Sequence, residues 1–152
     1  MRDLTVQRLP YERLGEAYTL IRTATHVSFE RWLEFGAELI KAGGGVIAVV
    51  AADHYIHGVA AFRPWTHLRH DAALEVEAMV AFDLRGNDRV KDVLYKELER
   101  IGREHGCRTI CFNMAAKSAD PGSRARAGLE RLGLKLETAG FVRELPGEDR
   151  LD

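Results

Sequence analysis

Glu75 and Glu77 stand two residues apart in the run Leu74-Glu75-Val76-Glu77-Ala78. Side chains alternate along an extended strand, so both carboxylates point to one sheet face, about 7 Å apart. If the strand is central, that face is not freely solvated, and two carboxylates there need a cleft or partners. A general base that strips a proton from an attacking amine fits such a position. The same alternation also describes an ordinary solvated strand face. Asn113 ends a later strand and reads most simply as a turn residue.

Six histidines and two cysteines raise the question of a metal. His54 and His57 flank one end of the strand that begins at Ile56, and His67 and His70 follow its other end. A strand of about 20 Å between the pairs prevents them from sharing one ion. Cys107 and Cys111 read as members of one strand, about 13 Å apart, beyond the roughly 7 Å Cα limit for a disulfide. No second Cys/His pair has the spacing to complete a zinc site with them. The expectation is therefore no metal and two buried thiols in a reducing compartment. Trp65, His67 and Arg69 read as a loop ahead of the Glu75 strand, suited to line an acceptor site. Arg124, Arg126 and Arg131 read as a solvated basic helix face.

The elements that position these residues follow from hydrophobic periodicity. Residues 4–9, 46–52, 56–62, 73–82, 108–113 and 141–145 read as strands, with the third ending before Pro64. Leu14, Ala17, Tyr18, Ile21 and Ala24 recur at helical spacing, as do Phe29, Trp32, Leu33, Gly36, Leu39 and Ile40 after the N-cap Ser28. Residues 89–105 form a third helix, and Asp120-Pro121 opens a fourth through Leu129, Leu132 and Leu136. The hairpins in the middle require antiparallel pairing. The strand-helix-strand unit over residues 73–113 requires a parallel pair with a right-handed crossover. The fold class is α/β (α+β), with a mixed, mostly antiparallel sheet, one parallel pair and helices on both faces.

The chain has 152 residues, 46% hydrophobic and 30% charged, which suits one globular core. We expect a single domain over residues 1–145 and a polar tail over 146–152. The formal net charge of -1 provides no global field for nucleic acid or an anionic membrane. The longest apolar stretch, residues 43–52, is too short to span a bilayer. The Met1-Arg2-Asp3-Leu4 start lacks an apolar signal region, so a cytoplasmic location is expected.

The order of elements resembles the GNAT superfamily of N-acetyltransferases over nearly the whole chain. The specific part is Leu-Glu-Val-Glu-Ala-Met-Val-Ala-Phe-Asp-Leu-Arg-Gly from Leu74, then a helix ending in Gly-Cys, then Arg-Thr-Ile-Cys-Phe-Asn to Asn113. The Gly140-Phe141 pair also looks like the family's Gly-Phe.

The resemblance implies acetyl-coenzyme A as co-substrate and an amine on a small molecule or peptide as acceptor. It implies that Met79, Val80 and Ala81 pair with the pantetheine arm and that Asn113 lies near it. It places the pyrophosphate over Arg85, Gly86, Asn87, Asp88, Arg89 and Val90, in keeping with anion binding at helix N-termini. It supports the strand bearing Glu75 and Glu77 without choosing between them as base. The chain departs from the pattern in four ways. Asp88 and Val90 stand where the family has small residues, mainly glycine. No tyrosine occupies the position near Leu136, and little chain remains for the usual last strand. The sheet edge is then either open or filled by a partner subunit in a homodimer. A like charge about 5 Å from a phosphate costs about 3 kcal/mol at an effective dielectric of 20, unless Asp88 turns away to cap the helix. The competing reading is a GNAT-fold binding module that has lost acetyl transfer.

Overall fold

In the computed structural model the described residues are 3–83 and 88–147. They group into two compact units, one ending at Asn113 and the other beginning at Met114.

The first unit is built on a five-stranded sheet in the order β1-β2-β3-β4-β5. The strands are β1 (Thr5–Leu9), β2 (Gly45–Val50), β3 (Ile56–His67), β4 (Asp71–Ala81) and β5 (Thr109–Phe112). The first four pair antiparallel, and β4 pairs parallel with β5, as the crossover required. A 3₁₀ segment, Tyr11–Ala17, leads into α1 (Tyr18–Thr25), so the first helical pattern is split between two helix types. Helix α2 (Phe29–Lys41) starts at Ser28, whose hydroxyl accepts the Arg31 N–H at 3.1 Å. Helix α3 (Arg89–Glu104) is the crossover.

Two apolar layers hold the sheet. On one face Leu14, Leu20, Ile21, Trp32 and Leu39 of the helical segments cover Val46, Ala48, Val59 and Ala61. The buried Trp32 indole donates to the Leu14 carbonyl at 2.8 Å. On the other face Leu94, Leu98 and Ile101 of α3 cover Ile47, Val49, Ala60, Phe62, Leu74 and Val76. Gly58 allows α3 to approach closely. A Cβ there would lie 2.5 Å from Val90 Cγ1.

Three expectations need correction in this unit. Strand β3 does not stop before Pro64 but continues to His67. Its ladder to β2 ends at Phe62, so beyond that point it pairs only with β4, and proline is tolerated on a free edge. Trp65 and His67 are consequently strand residues, not loop residues. Cys107 precedes β5 rather than lying on it. Its N–H bonds the Gly102 carbonyl at 2.8 Å and closes α3.

The second unit contains a short 3₁₀ turn, Ala116–Ala119, and α4 (Arg124–Arg131). Helix α4 begins after Ser123, not at Asp120-Pro121. The Ser123 hydroxyl accepts the Arg126 N–H at 3.0 Å, and the Asp120 carbonyl is used instead in a turn to the Ser123 N–H. Residues 141–145 form no strand: Phe141 and Val142 are 98% and 96% exposed. An alternating sequence supplies a strand's shape, but a ladder needs a partner edge. No helix among the described residues is long and apolar enough to cross a membrane.

Candidate functional site

The ladder between β4 and β5 spans only Ala73↔Thr109 to Val76↔Phe112, closed by the Asn113 N–H on the Val76 carbonyl at 3.0 Å. Strand β4 runs on to Ala81. Residues 77–81 therefore have β3 on one side and no β5 partner on the other.

The parting coincides with a β-bulge. The β3–β4 register passes from Phe62↔Val76 to Ala61↔Ala78, leaving Glu77 without an opposite residue. Leu74 and Val76 pack toward α3, then Met79 and Ala81 do so, while Ala78 and Val80 pack toward α1 and α2. The two-residue alternation slips by one at Glu77, and a bulge of this kind bends the strand and re-aims side chains.

Glu75 and Glu77 share the face opposite α3. Their separation is set by one residue: Asn113 Nδ2 donates to Glu75 Oε2 at 2.9 Å and to Glu77 Oε1 at 2.8 Å. A primary amide nitrogen carries two hydrogens, so each carboxylate receives one. Asn113 was expected to face a cofactor or to make a turn. It clamps the two acids, a role that required knowing that β5 ends beside the bulge.

The same face gathers further groups. Arg63 lies opposite Glu75 on β3, and its guanidinium stacks over the Trp65 ring at 4.0 Å from the centroid. Cys111 is the parallel partner of Glu75. Donor atoms of His67, Glu75 and Cys111 all lie within 4.8 Å of one another. The trio draws on β3, β4 and β5 and was not among the pairings considered from spacing. His54 and His57 sit at the far end of β3, where His57 Nε2 contacts the Asp53 carboxylate at 3.0 Å. Neither cysteine is in a disulfide, and burial pushes the Cys107 thiol up from its ordinary range.

At the start of α3 the expected capping residue is not the one that caps. Asp88 has left-handed backbone, φ 55°, and its side chain makes no capping hydrogen bond; its Oδ1 lies 4.0 Å from Lys91 Nζ. The Val90 N–H is instead accepted by Asp83 Oδ1 at 2.7 Å. Asp83 lies two residues beyond β4, seven before the amide it caps. Local spacing rules look one turn ahead and do not reach it. Arg85, Gly86 and Asn87 of the expected phosphate loop lie outside the described residues. Met79, Val80 and Ala81 lie on the part of β4 that has no β5 partner.

Comparison with solved structures follows from this topology. The chain superposes on aminoglycoside N-acetyltransferase AAC(6')-Iy in complex with CoA with a TM-score of 0.72, at 18% identity over 95% of this chain and 96% of that one. For AAC(6')-Ih from Acinetobacter baumannii the TM-score is 0.77, at 10% identity over 95% of this chain and 100% of that one. The chain has the GNAT fold. A transcriptional regulator from Bacillus halodurans C-125 is also similar, with a TM-score of 0.73 at 15% identity over 94% of this chain and 100% of that one. At these identities the likeness is one of fold, and a GNAT fold carries more than one function. No protein-family model matches the chain, and no curated protein sequence does.

Proposed function

We propose that the chain is an acetyl-coenzyme-A-dependent N-acetyltransferase acting on a primary amine of a small molecule or peptide. The observation that carries this reading is the Asn113 clamp on Glu75 and Glu77, set where β4 and β5 part. In this reading either carboxylate takes a proton from the amine as its nitrogen attacks the thioester carbonyl. The new C–N bond forms, the C–S bond breaks, and coenzyme A leaves as the thiolate, which then takes that proton from the carboxyl to become the thiol. The unpaired edge of Met79, Val80 and Ala81 offers backbone N–H and C=O groups to the pantetheine arm and the developing oxyanion. Asp88, Arg89 and Val90 at the start of α3 hold the pyrophosphate. Two cysteines outside any disulfide suit a reducing, cytoplasmic setting.

The alternative is a GNAT-fold binding module, and one observation favours it. The Asp83 carboxylate already accepts the Val90 N–H at 2.7 Å, a donor that the phosphate would use.

Calorimetric titration with acetyl-coenzyme A, paired with an assay of thiol release in the presence of primary amines, separates the two. Binding with amine-dependent thiol release supports the transferase. Absence of binding rejects it in favour of the module.

A further inference from the structure

We propose that His67, Glu75 and Cys111 form a binding site for a divalent metal ion of the zinc class. Their donor atoms all lie within 4.8 Å of one another. Zinc bonds of about 2.0–2.3 Å to nitrogen, oxygen and sulfur put the donors of a tetrahedral ion roughly 3.3–3.8 Å apart, so movements of about 1 Å close the site.

The donor set identifies the ion. Calcium and magnesium take oxygen ligands, whereas an imidazole, a carboxylate and a thiolate together select a borderline-soft ion such as zinc. Three protein ligands leave a fourth position open, the arrangement of zinc sites that bind an exchangeable water or small ligand. The two anionic ligands balance the charge of the ion. All three side chains are half-buried, so the site is sheltered yet has a route of entry.

The surroundings hold Glu75 and Cys111 in place. Glu75 and Cys111 are register partners, so the strand ladder itself holds them together. Asn113 fixes the Glu75 carboxylate through Oε2 at 2.9 Å, the kind of outer contact that orients a metal ligand. The Arg69 N–H donates to His67 Nδ1 at 3.0 Å. In the neutral ring that bond places the proton on Nε2, so an ion either replaces the Arg69 N–H at Nδ1 or binds Nε2 once the proton has moved to Nδ1, and in both cases the Arg69 contact is given up. The His70 ring lies 4.9 Å from that of His67 between centroids. The site stands independently of the acetyltransferase reading. A metal-bound Glu75 cannot also accept a proton from an amine.

The test is titration of the reduced full-length protein with Co²⁺, followed by competition with Zn²⁺. A thiolate-to-cobalt charge-transfer band that one equivalent of Zn²⁺ removes is the expected result. Cys111→Ser abolishes the band. Loss of outer-shell contacts alone weakens metal sites by 10–100-fold, so His67→Gln and Cys111→Ser are expected to weaken Zn²⁺ binding by at least about 100-fold. His57→Gln, at the other end of β3, leaves it unchanged. Circular dichroism checks each variant. In the wild-type protein Zn²⁺ slows alkylation of Cys111, mapped by mass spectrometry, which keeps the proposal testable should Cys111→Ser fail to fold. No charge-transfer band at saturating Co²⁺, Zn²⁺ affinity unchanged in His67→Gln, or alkylation of Cys111 at the same rate with and without Zn²⁺ overturns the site.

Discussion

The Asp83 carboxylate accepts the backbone N–H of Val90 at 2.7 Å and so caps α3 from seven residues upstream. Replacing a capping acid with alanine costs typically about 1 kcal/mol. Asp83→Ala should lower stability by that amount in urea denaturation, with an unchanged m-value. A variant as stable as wild type removes Asp83 as the cap.

Asp88 should behave differently. Its φ of 55° is left-handed and its side chain makes no capping bond. Glycine relieves the backbone strain, about 1 kcal/mol, but gives back about 0.4–1 kcal/mol through the freer unfolded chain. Asp88→Gly should therefore change stability by less than about 0.5 kcal/mol, and its effect on coenzyme A binding can be read cleanly. If the Asp88 charge opposes the pyrophosphate, removing about 3 kcal/mol of repulsion tightens coenzyme A about 100-fold. The transferase reading expects measurable wild-type affinity and little gain. Wild-type binding too weak to detect, rescued by glycine, points to the module.

Glu75 and Glu77 share one clamp, so either can serve when the other is lost. The Glu75→Gln/Glu77→Gln double variant should lower acetyl transfer about 100-fold or more, the usual size of a general-base contribution. Each single variant should lose less. An equal rate in the double variant and wild type ends the assignment.

Asn113→Ala removes both carboxylate contacts while keeping both acids. The expectation is a fall in kcat larger than the rise in KM for the amine, because the clamp positions the base and leaves acceptor binding to other groups. A change confined to KM would assign Asn113 to acceptor binding instead.

Gly58→Ala tests the seating of α3. The added Cβ would meet Val90 Cγ1 at 2.5 Å and Leu94 Cδ1 at 3.0 Å. Overpacking of this kind costs about 1–3 kcal/mol, measurable as a lower urea midpoint. A neutral change would mean that α3 shifts freely.

Much of the scaffold was legible in the residues alone. Alternating and helical periodicities located β1, β2, β4, β5 and helices α1, α2 and α3, because burial of one face writes a period of 2.0 or 3.6 into the chain. The hairpins and the single crossover then dictated a mostly antiparallel sheet with one parallel pair. The same periodicity put Glu75 and Glu77 on one face. What tertiary structure decided are the contacts between residues far apart in the chain. Asn113 reaches Glu75 and Glu77 across 38 and 36 residues, and Cys111 meets Glu75 because the parallel register sets them side by side. Continuation of β3 past Pro64 depended on which edge lacked a partner. Periodicity records which face of an element is buried. It contains no term for register, for strand neighbours or for where two strands part, and those set the arrangement of the site.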